Sequence, residues 1–190
     1  MILYKRHMKK AKFGKLKDTY RGKIFSIKQR EVIFPDGFKE TYEYCERAPS
    51  VSVLAFNEKN EILMIKERRH GYQKNVWFLP GGRVDQPGDT PRKAALREMA
   101  EEAGYTAKKI KLIHKKSPSN TLFWDIYIYY AVDLKFVGRQ PERGEHIIDV
   151  KFVPFKKAVQ MALDGTIENE FISYNIIRFD YMLKTKEFKQ

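Results

Sequence analysis

The 190-residue sequence has little of what marks several common protein classes. Its single cysteine, Cys45, excludes an internal disulfide framework, and its 11 glycines and 8 prolines exclude a collagen-like or low-complexity chain. No apolar run approaches the roughly 20 residues that a membrane-spanning helix needs. Residues 1–17 also lack the apolar stretch of a secretory signal. We therefore expect a cytoplasmic protein that has no contact with membranes.

Hydrophobic residues are present in the proportion expected of a folded domain. They make up 43% of the chain, and aromatic residues make up 14%. A chain of this length fits one large domain, or one domain with a small appendage. Such a domain buries about 70% of the surface that its unfolded chain exposes, so it can fold without metal or disulfide staples.

Positive charge is concentrated at the amino terminus. The net charge is +13, but seven basic residues precede the first acid, Asp18. The remaining residues carry 30 basic and 24 acidic side chains, a net charge of +6. We assign residues 1–21 to a basic arm, which could be a solubilising tail, an expression remnant or a segment that attracts anions. If the protein binds nucleic acid, we expect the binding residues to lie in this basic arm.

Two regions rich in β-branched and aromatic residues precede the middle of the chain. Residues 22–44 contain two such runs separated by the turn signal 34–37, which predicts a hairpin. Runs at 52–56 and 61–66, separated by four polar residues, predict a second hairpin. We therefore divide the chain into the basic arm, a small β-hairpin region at 22–48, and a main domain at 49–190.

The main domain alternates strands with helices. Because the helices interrupt a sheet that is mostly connected by hairpins, we expect an α/β/α sandwich of the α+β class around a mixed sheet. Further strands are predicted at 107–115, 123–134 and 147–153, and helices at 91–103, 156–163 and 169–183.

The helix at 91–103 carries the residues that indicate chemistry. Thr90 and Pro91 are typical of a helix start, and Gly104 is typical of a helix end. On a helical wheel an apolar stripe is predicted to be buried, and three glutamates cluster on nearly the opposite side. The stripe consists of Leu96, Met99, Ala100 and Ala103, and the acidic cluster of Glu98, Glu101 and Glu102.

Acidic neighbours at this spacing destabilise an isolated helix by about 0.2–0.5 kcal/mol per pair. They could form an ordinary solvated face, or they could bind Mg²⁺, which prefers carboxylate oxygens and bridges protein to substrate phosphates. Upstream, Gly81 and Gly82 let the backbone approach a ligand closely. Together the turn and the helix form a candidate diphosphate site.

The segment Gly82–Tyr105 resembles the Nudix box. Its second half, Arg-Glu-Met-Ala-Glu-Glu-Ala-Gly-Tyr at 97–105, matches every fixed position, whereas Asp89 replaces the first glutamate and lies one residue too far from Gly82. The resemblance implies that Glu98 and Glu102 bind the metal and that Glu101 assists. It further implies that Arg97 orients a glutamate and that the Gly81 carbonyl completes the metal site.

Outside the box, the chain resembles the ADP-ribose and nucleotide-sugar pyrophosphatase branch of that family. The turn 34–37 resembles the branch's Leu-Pro-Asp-Gly, and 131–134 resembles its Ala-x-Asp-Leu. The resemblance makes Arg69 a candidate phosphate ligand and Pro118 a substrate-binding marker. The catalytic base of the branch comes from an acidic loop, here 138–146, where Glu142 and Glu145 are rival candidates.

The implied activity is hydrolysis of the diphosphate bond of ADP-ribose or a related nucleotide sugar, with Mg²⁺ or Mn²⁺ as cofactor. The resemblance also implies a homodimer, in which the hairpin region crosses to the second subunit. Two alternatives stay open: hydrolysis of a dinucleoside polyphosphate or a capped RNA, and a sensor that binds nucleotides without catalysis.

Overall fold

The structure is a computed structural model, and it describes residues 10–69, 71–140 and 146–188. The chain divides into two compact units. The first unit comprises residues 10–48 with Ser117–Asp125, and the second comprises Pro49–Lys116 with residues 126–188. In chain order the secondary-structure elements are β1 (Lys12–Phe13), β2 (Lys17–Arg21), β3 (Phe25–Ile33), β4 (Lys39–Arg47), β5 (Ser50–Ala55), β6 (Glu61–Glu67), β7 (Val76–Phe78), α1 (Pro91–Ala103), β8 (Tyr105–Lys116), β9 (Leu122–Phe123), β10 (Ile126–Phe136), β11 (Ile147–Pro154), α2 (Phe155–Leu163) and α3 (Glu170–Lys184).

The first unit is an antiparallel hairpin with short strands added to it. Strands β3 and β4 pair from Phe25–Arg47 to Ile33–Lys39, and the Gly37 amide donates to the Phe34 carbonyl at 2.9 Å in the connecting turn. Strands β1 and β2 pair with β3, so the segment assigned to the basic arm contributes to this sheet. Strand β9 pairs in parallel with β4.

The second unit contains two three-stranded sheets. In one, β10 lies between β5, to which it is parallel, and β8, to which it is antiparallel. In the other, β6 lies between β11 and β7, antiparallel to both. Together with the helices they form the mixed α+β architecture that the sequence predicts, which confirms the fold class.

The predicted hairpin between 52–56 and 61–66 is wrong. Both segments are strands, but β5 and β6 belong to different sheets and share only the isolated bridge between Phe56 and Ile62. The Asn57 side chain turns the chain between the sheets, because its Oδ1 accepts from the backbone amides of Lys59 and Glu61, each at 3.0 Å. Local sequence predicts the turn but not which strands then pair.

Helix α1 begins and ends where its sequence predicts. The Thr90 hydroxyl accepts from the Lys93 amide at 3.3 Å, and Gly104 ends the helix with a left-handed φ of 79°. Asn169 caps α3 by accepting from the Ile172 amide at 3.1 Å. In the described segments, no helix combines the length and apolarity that crossing a lipid bilayer requires.

The core of the second unit lies around β5, β6 and β10. Every residue of β5 is buried, and so are Ile62–Ile65 of β6. Helix α3 packs its Phe179 ring against the rings of Phe56 and Tyr130, with centroids 5.6 and 5.5 Å apart. This core fixes the positions of β6, β7 and α1, the elements that carry the candidate site.

Candidate active site

The turn after β7 is held against the backbone of β5. The Val51 amide donates to the Gly82 carbonyl at 2.8 Å, and the Val53 amide donates to the Pro80 carbonyl at 2.9 Å. A Cβ added at Gly81 would lie 2.2 Å from the Val51 carbonyl oxygen. Only glycine fits at this position, because any side chain would meet the neighbouring strand.

The same turn contacts two glutamates of α1. The Gly81 amide donates to Oε2 of Glu102 at 2.8 Å. A Cβ at Gly82 would lie 2.3–2.4 Å from the Glu98 carboxylate atoms. The two adjacent glycines therefore let two carboxylates, one helical turn apart, close onto the backbone.

The acidic side of α1 is buried rather than solvated. Glu98 is 6% exposed and Glu102 is 2% exposed, while Glu101 is half-buried. The prediction of the apolar stripe is wrong in part: Met99 and Ala103 are buried, but Leu96 and Ala100 are only half-buried. The reason is that α1 turns its carboxylates towards the glycine turn, which shifts the buried face around the helix.

Arg97 connects the acidic side chains to one another. Its guanidinium lies 2.9 Å from Glu98 Oε1, 2.8 Å from Glu101 Oε2 and 3.1 Å from Asp89 Oδ2. It also donates to the Arg83 carbonyl at 3.0 Å. Burial acts against the charged guanidinium, but Glu98, Glu101 and Asp89 outweigh it and raise the pKa of Arg97 above its usual value.

The loop with the extra residue brings Asp89 to this arginine. The Asp89 amide donates to the Gln86 carbonyl at 3.0 Å, and Gly88 has a left-handed φ of 76°. The additional residue is therefore absorbed in a tight turn over 86–89. Asp89 stands where the box has its first glutamate. Its carboxylate accepts a hydrogen bond from the Arg97 guanidinium, so the substitution still supplies an acidic partner for Arg97.

Arg69 lies two residues beyond the end of β6, beside the buried carboxylates. It forms an ion pair with Glu67, and its Nη2 lies 3.9 Å from Glu102 Oε1. The guanidinium carbon lies 4.1 Å from the centroid of the Phe78 ring. With 42% of its side chain exposed, Arg69 can still contact an anion that enters from solvent.

The predicted site residues are divided between the two compact units. Six of them belong to the second unit: Arg69, Gly81, Arg97, Glu98, Glu101 and Glu102. Pro118 belongs to the first unit and is exposed. Glu142 and Glu145 lie outside the described residues. Across the described segments, no three His, Cys, Asp or Glu side chains are arranged to hold a metal ion. The metal ligands and the catalytic base therefore stay predictions.

Two neighbours of the site are not among the predicted residues. Glu67 is only 3% exposed, and Phe78 lies under the Arg69 guanidinium. The sequence offers one signal for Glu67, which lies two residues after the apolar run Ile62–Ile65 at the end of a strand: such an acid must either point to solvent or pair with a cation. Nothing in the sequence shows that Phe78 is the ring that Arg69 contacts.

Comparisons with known proteins identify the family of the chain. The NUDIX domain model matches residues 46–173. The chain is 30% identical over 153 residues to an ADP-ribose pyrophosphatase of Mycobacterium tuberculosis, covering 79% of this chain and 73% of the relative. It is 26% identical over 159 residues to an ADP-ribose pyrophosphatase of Bacillus subtilis, covering 83% of this chain and 85% of that protein.

A solved structure is similar in fold. A crystal structure described as an ADP compounds hydrolase matches 94% of this chain and 97% of its own, with a TM-score of 0.79 and 19% identity. At this identity the likeness concerns the fold.

Proposed function

The chain belongs to the NUDIX family and is a Nudix pyrophosphatase, and from this premise we propose that it hydrolyses ADP-ribose or a related nucleoside diphosphate sugar. Hydrolysis breaks the bond between the bridging oxygen and one phosphorus. Water supplies the new oxygen on that phosphorus. The products are a nucleoside monophosphate and a sugar phosphate, which matches the activity named for both relatives.

One observation carries the proposal: Glu98 and Glu102 are buried directly against the glycine turn. The contacts are the 2.8 Å hydrogen bond from the Gly81 amide to Glu102 and the position of the Glu98 carboxylate where a Gly82 side chain would be. Burying carboxylates is costly unless they are paired, hydrogen-bonded or bound to a cation. Here the Arg97 guanidinium and the Gly81 amide hold the two carboxylates in one place, so that they form a preformed set of oxygen donors for a cationic or metal-bridged ligand.

The donor set fits a divalent cation such as Mg²⁺ or Mn²⁺. Carboxylate oxygens are the ligands that these hard cations prefer, and Glu98 and Glu102 would hold one, with Glu101 and the Gly81 carbonyl beside them. When bound, the cation would neutralise the diphosphate and lower the pKa of the attacking water. Arg97 would hold the Glu98 and Glu101 carboxylates in place by its contacts at 2.9 and 2.8 Å.

Arg69 would clamp the diphosphate. Its guanidinium is fixed from one side by Glu67 and by the Phe78 ring, which leaves donors for a phosphate oxygen. Either Glu142 or Glu145 would accept the proton of the attacking water. A homodimer built through residues 22–48 is part of the proposal, and light scattering that gives the mass of one chain would contradict it.

A substrate panel tests the proposed function. Phosphate release after phosphatase coupling would be measured with ADP-ribose, other nucleotide sugars, dinucleoside polyphosphates and nucleoside triphosphates, with Mg²⁺, with Mn²⁺ and with a chelator. We expect ADP-ribose or a nucleotide sugar to be the best substrate and the chelator to stop the reaction. Faster hydrolysis of triphosphates or dinucleoside polyphosphates would contradict the substrate class. Tight ADP-ribose binding without turnover would point to a sensor instead.

A further inference from the structure

A basic and aromatic surface lies on the second unit, on residues that the proposed activity does not use. We call it the α3–β8 stripe and define it by five side chains. They are Lys111 and Lys116 of β8, and Tyr174, Arg178 and Tyr181 of α3.

Strand β8 turns two of its lysines, Lys111 and Lys116, towards α3. It is an edge strand among the described residues, and Lys111 and Lys116 pair across the ladder with Tyr130 and Ile126 of β10. Residues paired across a ladder point to the same face of the sheet, and the Tyr130 ring packs on Phe179 of α3. Both lysines therefore lie on the face that α3 covers.

Direct contacts place these cations against α3 and the segment that follows it. Lys116 Nζ donates to the Tyr174 hydroxyl at 2.7 Å, and Lys111 Nζ lies 4.6 Å from the centroid of the Phe188 ring. Arg178 Nη1 donates to the same Tyr174 hydroxyl at 3.5 Å. The hydrogen bond from Lys116 is the main reason why the pKa of Tyr174 is lowered, which indicates a positive local potential.

The tyrosines form a row along α3. Tyr174, Arg178 and Tyr181 are spaced i, i+4 and i+7, so they share one face of the helix, and the Cα atoms of the two tyrosines are about 10 Å apart along its axis. Tyr174 is 46% exposed and Tyr181 is 59% exposed. The Lys116 ammonium lies 4.7 Å from the centroid of the Tyr174 ring and covers part of it. The exposed part of that ring and the Tyr181 ring offer flat surfaces on which planar groups can stack.

The charge of the stripe is not neutralised by nearby acids. Within residues 10–69, 71–140 and 146–188, no carboxylate forms an ion pair with Lys111, Lys116 or Arg178. Asp180 is already paired with Lys184, at 2.5 Å. Glu170, an exposed acid one turn before Tyr174, bounds the stripe at one end.

From these contacts we propose that the α3–β8 stripe binds single-stranded RNA. The three cations would contact backbone phosphates, and Tyr174 and Tyr181 would stack on unpaired bases. This combination of cations with exposed rings is how proteins hold single strands without reading their sequence. A duplex keeps its bases stacked on each other and cannot use the tyrosines. The proposal is independent of the hydrolytic activity, since none of these residues is assigned to the proposed active site.

The test measures binding of a short fluorescent oligouridylate to the full chain by anisotropy, between about 50 and 200 mM salt. The stripe variant is Lys111→Ala with Lys116→Ala and Arg178→Ala. The control has the same loss of charge at exposed positions elsewhere, Lys59→Ala with Lys156→Ala and Lys157→Ala. Thermal unfolding of each variant checks that the fold is kept.

We expect the stripe variant to bind at least tenfold more weakly at about 50 mM salt. Losing three phosphate contacts should also reduce the slope of log affinity against log salt by about 2. The control triple should bind nearly as the unchanged protein does. Tyr174→Leu and Tyr181→Leu should each weaken binding by roughly fivefold or more, and Tyr20→Leu, at an exposed ring of the first unit, should not.

Three results would overturn the proposal. One is an equal loss in both triple variants, which would mean that binding follows net charge alone. Another is the absence of binding by the unchanged protein at the lowest salt. The third is binding to anionic phospholipid vesicles that displaces the RNA and depends on the same three cations, because the stripe would then be a membrane-contacting surface.

Discussion

The backbone amide of Gly81 donates a hydrogen bond to Oε2 of Glu102 across 2.8 Å. The two residues are 21 positions apart, and the bond joins the glycine turn to the last turn of α1. It fixes one oxygen of a carboxylate that is only 2% exposed. The orientation of Glu102 therefore depends on the turn as well as on its own helix.

Glu102→Gln should abolish most turnover while the protein stays folded. The amide oxygen of glutamine can still accept from Gly81, but the negative charge needed to bind a cation is lost. We expect kcat for ADP-ribose to fall by about 100-fold or more, since cation binding supplies several kcal/mol of charge stabilisation. The same change at Glu58, which is exposed in a loop, is the matched control and should have no effect.

Gly81→Ala and Gly82→Ala should affect stability and activity to different extents. At Gly81 the new methyl meets the backbone of β5, which cannot move easily, so we expect a loss of about 1–3 kcal/mol in the free energy of unfolding. At Gly82 the methyl meets the Glu98 carboxylate, which can rotate away. Gly82→Ala should therefore lose activity with a smaller change in melting temperature. Equal melting temperatures with full activity in both variants would contradict this geometry.

Arg97→Ala should destabilise the protein as well as inactivate it. The change leaves Glu98, Glu101 and Asp89 close together without their shared cation. Breaking a buried ion pair in this way costs about 3 kcal/mol or more. Arg97→Lys should recover only part of the stability, because one compact ammonium group replaces the two guanidinium nitrogens that contact Glu98 and Glu101 on one side and Asp89 on the other. Denaturant unfolding of both variants measures the difference.

His114 should make stability depend on pH between neutral and mildly acidic conditions. Burial, together with the nearby charges of Arg178 and Lys116, lowers the pKa of His114 from 6.5, against the raising effect of its hydrogen bond with Asn175 at 3.1 Å. The unfolded chain therefore binds this proton more readily than the folded protein does. Stability should fall as the pH drops below about 6.5, the ordinary pKa of histidine.

His114→Asn should reduce that pH dependence, because the substituted side chain does not titrate. The measurement is the melting temperature of both proteins from pH 7.5 to pH 5. A parallel decline of the two curves over that range would show that His114 is not the group responsible.

Local features of the fold could be predicted from the sequence. The caps of α1 depend on Thr90 and Gly104 themselves, so their residue types suffice to place the helix ends. Pairing between β5 and β10, by contrast, joins segments more than 70 residues apart. The choice of that partner over β6 depends on the packing of the whole core, which a pattern read along the chain does not contain.

In the candidate site, too, local features could be predicted from the sequence and long-range contacts could not. The spacing of the glutamates indicates one helical face, but only the fold shows that Glu98 and Glu102 are buried by the glycine turn. The sequence predicts a role for Arg69 by resemblance, whereas its contact with Phe78 depends on the pairing of β6 with β7. Glu142 and Glu145 stay predictions, because they lie outside the described residues.

The most direct test of the account is the identification of the products formed from ADP-ribose by the unchanged protein and by Glu102→Gln, with Mg²⁺ and with a chelator. We predict AMP and ribose 5-phosphate in equal amounts from the unchanged protein with Mg²⁺, and almost none from the variant or in the chelator. Equal product formation by both proteins, or undiminished formation in the chelator, would contradict the role assigned to the buried glutamates.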